Sequence, residues 1–157
     1  MHPRAAELIK QLNLERHPEG GYYREIFRSA DLVAPADGRG PRAALTTIYY
    51  LLPAGIVSRW HRVASDEVWH LYEGGPLEVL SVDPAFSTLS RHRLEPLAPV
   101  CTVAATHWQA ARTLGDYALT GCTVGPGFDF EDFTILANDG ASTARLLALD
   151  QELASLV

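Results

Sequence analysis

The sequence is poor in cysteine and in positive charge, and it has no long apolar run. Its two cysteines, Cys101 and Cys122, lie inside apolar, strand-like stretches without a spaced motif. Two such thiols read as buried side chains in a reducing compartment, so a cytoplasmic location is expected. Lysine and arginine number 13 against 19 aspartates and glutamates, for a net charge of −6. A general phosphate-backbone binder needs a basic face, so nucleic acid is not an expected partner. No window approaches the ~18 apolar residues of a spanning helix, and a membrane partner is not expected either. The opening "MHPRAAELIKQ" lacks an apolar run followed by a small-residue cleavage site, so no signal peptide is read there.

What is present is an ordinary globular mix, 47% apolar and 20% charged. No repeat, linker or low-complexity segment divides the 157 residues, so a single domain over 1–157 is expected. Pro3 suits a first helical turn, and Leu8, Ile9 and Leu12 recur at helical spacing. "HPEGG" (17–21) ends that helix, and "YYREIFRS" alternates as a strand does. "ADLVAPADGRGP" (30–41) reads as a loop. Eight or nine short strands follow at about ten-residue spacing with no helix between them, the signature of an antiparallel barrel or sandwich. The expected barrel core runs from about 20 to 138. A terminal helix is expected at about 142–156, with Ser142 as its cap and Leu146, Leu149, Leu153 and Leu156 at helical spacing.

One spacing stands out. Gly55, His61, Glu67 and Gly74 fall in register with the first motif of the cupins: Gly, five residues, His, one residue, His, a short gap, Glu, six residues, Gly. Val63 occupies the second histidine position. The second cupin motif is matched only by "AATHWQ", with Ala104, Thr106 and Gln109 where proline, glycine and histidine are usual. Four blocks in order, "HPEGGYYRE" (17–25), "SRWHRVASDEVWHLYEGGPLEV" (58–79), "HWQAAR" (107–112) and "CTVGPGFDFEDF" (122–133), carry a closer likeness. The chain resembles a small domain-of-unknown-function family within the RmlC-like cupins. That resemblance implies an all-β dominated fold, a jelly-roll antiparallel β-barrel with short terminal helices, and a homodimer.

The ligand positions bear on cofactors. Cupin metal sites usually take three histidines and one glutamate, and transition metals favour such nitrogen-rich sets. His61 and Glu67 are present, but valine cannot ligate and Gln109 is a weak neutral donor. Three good protein ligands are the usual minimum for zinc, so no cofactor is expected. A divalent transition metal on His61, Glu67 and Gln109 is the alternative. Strand alternation turns His70 away from the pocket if Glu67 faces in, and makes His107 the better substitute ligand.

Without a metal, the same pocket suits acid/base chemistry. By the resemblance, sugar-nucleotide epimerases of the RmlC type use a histidine base and a tyrosine acid. His61 is the expected base, with an ordinary pKa that small shifts poise near neutrality. Glu67 is expected to orient it, and Tyr23 to supply the acid, with Tyr49 and Tyr50 as competitors. Arg59 shares strand parity with His61, and an inward arginine points to an anionic or carbonyl ligand; an ion pair with Glu67 or another acid is the competing role. Glu19, Arg24 and Glu25 are expected near the pocket mouth. Trp69 and Gln109 are expected to touch the ligand. In "PGFDFEDF", either a strand with a solvated acidic face forms, or Asp129 or Glu131 reaches a ligand. Three functions stay open. The first is a metal-independent epimerase or isomerase acting on a small polar, sugar-like or anionic metabolite. The second is a small-molecule binding or sensing cupin, and the third a metal-dependent dioxygenase or isomerase.

Overall fold

A computed structural model describes all residues from 1 to 157. The chain opens with helix α1 (Pro3–Gln11), then β1 (Glu15–Arg16), β2 (Tyr22–Arg28), β3 (Leu32–Val33), β4 (Arg42–Ala43), β5 (Thr46–Pro53) and β6 (Val57–Val63). It continues through β7 (Asp66–Gly74), β8 (Leu77–Val82), β9 (Leu89–Leu94), β10 (Val100–Val103), β11 (Trp108–Thr113), β12 (Tyr117–Gly125) and β13 (Phe133–Ile135), and ends in α2 (Gly140–Leu149). A 3₁₀ stretch over Gln151–Leu156 follows.

Two antiparallel sheets carry the fold. One has six strands in the order β1-β2-β5-β12-β7-β10, the other five in the order β13-β6-β11-β8-β9. They face each other as a jelly roll without closing into one hydrogen-bonded ring. Strand alternation sorts the apolar side chains into three layers. Tyr50, Leu52, Trp69, Leu77, Val79, Ala111 and Cys122 meet between the sheets. The next residues along the same strands point outward. Leu51 and Leu119 pack under Ala5 and Leu8 of α1. Trp60, Leu80, Val82, Trp108 and Ala110 pack under Leu136, Leu146, Leu153 and Leu156 at the C-terminus. Trp69 therefore fills the space between the sheets, whereas Trp60 and Trp108 anchor the C-terminal cover.

The expected terminal helix starts two residues earlier than expected, and its cap is a different residue. Asp139 is the N-cap: its Oδ1 accepts the Ser142 N–H at 3.1 Å and its Oδ2 accepts the Ser142 hydroxyl at 2.8 Å. A carboxylate is a good acceptor at a helix start, and its charge suits the positive end of the helix dipole. The stretch read as a loop over 30–41 is in part a strand: Leu32 and Val33 form β3 and pair with β4 in a short ladder. "PGFDFEDF" is not a strand. Asp129 Oδ1 accepts the Glu131 N–H at 2.9 Å, and Phe130–Asp132 form a single 3₁₀ turn. The aspartate bonds its own neighbouring backbone in place of a ladder partner.

Candidate functional site

One end of the space between the sheets is open. A cavity of about 380 Å³ lies there, lined by His61 and Val63 of β6, Glu67 of β7, Thr46 and Ile48 of β5, and Cys122 and Val124 of β12. Its outer wall comes from Tyr23, Glu25 and Arg28 of β2, from Phe128, Asp129, Phe130 and Phe133, and from Glu15, His17 and Glu19 before β2. The cupin spacing holds in three dimensions, since His61 and Glu67 both border this cavity.

His61 is buried, and its tautomer is set by the backbone. Nδ1 lies 2.8 Å from the Arg59 carbonyl, which can only accept, so Nδ1 carries a proton. In the neutral ring, Nε2 is then an acceptor. It faces Glu19 Oε2 at 3.2 Å. A lone pair facing a bare carboxylate would repel it, so this contact requires one proton between the two atoms. The other carboxylate oxygen, Oε1, accepts the Ser58 hydroxyl at 2.8 Å. Burial pushes the Glu19 carboxyl up from its ordinary value, against the pull of His17. Burial also lowers His61, against the attraction of Glu67. Both shifts favour the neutral pair.

Glu19 reaches this depth because the 17–21 segment folds across the edge of β6. The Arg59 N–H donates to the Glu19 carbonyl at 2.9 Å. Gly20 at φ +117° makes the turn, and a Cβ there would collide with the Val57 carbonyl oxygen. The Tyr50 hydroxyl ties the same turn by donating to the Gly20 carbonyl at 2.8 Å. The expectation that Glu19 lines the pocket mouth is thus corrected: it is buried at the base, directly against His61. His17, not singled out from the sequence, stands beside it. Its Nδ1 accepts the Glu19 N–H at 3.3 Å, so its 3.4 Å approach to Glu19 Oε2 is not a donor bond from the neutral ring. The His17 ring packs edge-on against Tyr23 at 4.5 Å between centroids.

Glu67 is held from behind. The Trp69 indole N–H donates to Gln109 Oε1 at 2.9 Å, and Gln109 Nε2 donates to Glu67 Oε2 at 2.5 Å. Burial raises the Glu67 carboxyl, partly offset by His61. Trp69 and Gln109 do not border the cavity. Both were expected to touch a ligand, and both instead lie behind Glu67 as its support.

Arg59 is placed differently from its expected role. Despite its parity with His61, its guanidinium donates to the carbonyls of Pro18 at 2.6 Å and Glu19 at 3.4 Å, clamping the loop from outside the cavity. Arg24 donates to the Leu12 carbonyl and is not in the cavity wall. Tyr23, Glu25 and Asp129 do border it, whereas Glu131 extends into solvent toward Arg42. Tyr50 is buried between the sheets, and Tyr49 faces α1 on the opposite side of its strand. His70 stacks on Tyr72 away from the cavity, and His107 approaches only the Ala105 carbonyl.

These donors do not fit a transition metal. Trp69 can only donate, so Gln109 must turn its oxygen toward the indole and its NH₂ toward Glu67. Gln109 therefore offers no lone pair to the cavity. Val63 holds the place of a second histidine, and His61 Nε2 is committed to Glu19. No three His, Cys, Asp or Glu side chains are grouped to hold a metal ion.

Comparison with known proteins agrees with this architecture. Two solved structures each share 32% identity with the chain at a TM-score of 0.82: a hypothetical protein from Leishmania major and a protein from Shewanella oneidensis. Each alignment covers 97% of this chain and 96% of the other. An L-ribose isomerase from Cellulomonas parahominis, solved with L-psicose, shares the fold at 16% identity and a TM-score of 0.59, over 91% of this chain and 92% of that one. No curated protein matches the sequence. No helix is long and apolar enough to cross a membrane. The family model described as cupin superfamily, DUF985, matches residues 6–136, in agreement with the jelly roll and the His61–Glu67 spacing, and the chain belongs to that cupin family.

Proposed function

We propose that the cavity binds a small polar, sugar-like metabolite and moves a proton next to its carbonyl group without a metal, as an epimerase or isomerase does. The observation that carries this reading is the 3.2 Å contact of His61 Nε2 with Glu19 Oε2 inside a cavity wall. The resting pair holds one proton. It takes a second from the carbon beside the ligand carbonyl: the shared proton passes onto His61 Nε2 and the freed Glu19 carboxylate accepts the new one, so that His61 acts as the base through Glu19. Tyr23, whose phenol burial keeps protonated, donates its O–H to the carbonyl oxygen and gives a neutral enediol. Return of the proton to the other face, or to the neighbouring carbon, completes an epimerisation or an isomerisation. Glu67 supplies negative charge close to the imidazolium. The isomerase chemistry of the Cellulomonas neighbour lends support by analogy of fold only.

The test is deuterium exchange from D₂O into a panel of aldoses and ketoses, followed by NMR. Exchange beside the carbonyl that is lost in His61→Ala and in Glu19→Gln supports the proposal. Absence of exchange across the panel with correctly folded protein overturns it. A second reading, binding without turnover, is favoured by one observation: His61 Nε2 already has a partner. Ligand-dependent thermal stabilisation without exchange identifies that case.

The proposal extends to a cytoplasmic homodimer. Both cysteines are unpaired, and Ile26 and Tyr72 leave apolar surface exposed on the six-stranded sheet. Sedimentation equilibrium reads the dimer directly.

A further inference from the structure

The lip of the cavity carries more negative charge than it neutralises. Arg28 is the one arginine of the lining, and two of its three guanidinium nitrogens are engaged. Its Nε and Nη2 donate to the two Glu25 oxygens at 3.0 and 2.7 Å, and Nη2 also donates to the Phe128 carbonyl at 3.2 Å. Glu25 thus takes the direct ion pair with Arg28, and Asp129 acts on the same guanidinium only through space. Glu15 and Asp129 also line the cavity and have no cation partner within salt-bridge distance, and Asp129 Oδ1 accepts only the Glu131 N–H. The same lining holds four aromatic rings. Phe128 and Phe130 meet edge-on at 5.0 Å, Phe130 and Phe133 at 6.1 Å, and Tyr23 is the fourth. Carboxylates around aromatic faces attract a cation and repel an anion.

The inner end offers an independent signal. The His17 side chain is only 6% exposed and borders the cavity. Its Nδ1 accepts the Glu19 N–H, so the neutral ring carries its proton on Nε2. That N–H has no partner in the protein. The side chain is nearly buried, and its Nε2–H, free of any protein acceptor beside the cavity, is open to an acceptor on a ligand in place of water.

We propose that the pocket selects a positively charged amine that also bears hydroxyl or carbonyl oxygen. The ammonium group seats among Glu15, Asp129 and the phenylalanine faces, and an oxygen accepts from His17 Nε2. This rests on the reading of the cavity as a small-molecule site but not on its chemistry. Its size lies within the roughly 300–1,000 Å³ usual for such ligands.

Three probes of matched size and different charge test it: glucosamine, glucose and glucuronate, with binding followed by calorimetry. Glucosamine is expected to bind at least about tenfold more tightly than glucose, and glucuronate most weakly. The Glu15→Gln/Asp129→Asn double variant removes both charges, while asparagine can still accept the Glu131 N–H, and is expected to bring the glucosamine-to-glucose ratio close to one. Phe130→Leu lowers glucosamine affinity alone. Glucosamine binding equal to or weaker than glucose overturns the inference, as does absence of glucosamine binding up to about 100 mM. Charge selectivity without deuterium exchange sinks only the proton-transfer proposal. Exchange into neutral sugars with no preference for the amine sinks only this one.

Discussion

Trp69 donates its indole N–H to Gln109 Oε1 at 2.9 Å, and that bond decides which way the Gln109 amide faces. The amide nitrogen is left for Glu67, and the oxygen is lost to any metal. Gln109 marks a ligand position in the cupin pattern, yet here it works as a strut between a tryptophan and a buried carboxylate.

A metal site should therefore be recoverable only by replacing more than one residue. Val63→His with Gln109→His places two imidazoles next to His61 and Glu67. The double variant is expected to bind one equivalent of Co²⁺, visible by its d–d absorption, and the wild type none. A stoichiometric Co²⁺ spectrum from the wild type would show that His61 and Glu67 suffice.

The strut makes a prediction about stability. Trp60 and Trp69 are equally buried, at 0% and 1% exposure, but only Trp69 uses its N–H; Trp60 Nε1 has no partner. Phenylalanine at either position removes a similar volume. Trp69→Phe also strands Gln109 Oε1, at a cost of about 1–3 kcal/mol. Urea midpoints are expected to fall further for Trp69→Phe than for Trp60→Phe, with unchanged slopes. Equal losses would mean that the hydrogen bond contributes nothing net.

Gly20 and Gly38 both hold positive φ, +117° and +83°, but in different surroundings. Alanine at Gly38 meets nothing and pays only for its backbone, about 1–2 kcal/mol. Alanine at Gly20 drives its Cβ into the Val57 carbonyl and must move the 17–21 segment. Gly20→Ala is expected to be the less stable of the two and to shift the His61 imidazole resonances. Gly38→Ala should leave those resonances in place.

The buried histidines give a pH dependence of known sign. Burial lowers His17, opposed by Glu19. A group lowered in the folded state contributes stability above its unfolded value of 6.5, and that contribution is lost as pH falls through the folded value. The stability gap between wild type and His17→Asn is expected to be widest above neutrality and to shrink on acidification. Glu19 and Glu67 are raised by burial, so their contribution runs the other way, complete below 4.5 and lost as pH rises through their folded values. Denaturant titrations of wild type and variant from pH 4 to pH 8 separate the two. A gap that widens toward acid would contradict the lowered His17.

The jelly roll was legible because turn spacing and alternation are local, and the His61–Glu67 spacing fixed one edge of the cavity for the same reason. Glu19 was legible as a residue near the pocket mouth but not as the buried partner of His61. Its depth depends on the Arg59 N–H and on the Gly20 turn, contacts between residues remote in sequence. Arg59 misleads by parity: alternation aims its Cβ inward, but the guanidinium is long enough to reach the carbonyls crossing the strand edge. "PGFDFEDF" misleads by alternation, since an aspartate can satisfy a neighbouring N–H more cheaply than a distant strand can. Nothing in the composition distinguished an Arg28 paired with Glu25 from a free arginine.

The side-chain bonds that hold the two buried carboxylates span long stretches of chain: 39 residues from Glu19 to Ser58, 40 from Trp69 to Gln109 and 42 from Glu67 to Gln109. Long loops must close before such contacts reward them, and closure of this kind is slow. A chain that has formed its local hairpins but not yet docked residues 17–21 has strands and no acid/base pair. Recovery of the His61–Glu19 contact during refolding thus marks arrival at the native state, later than any signal from β-structure alone.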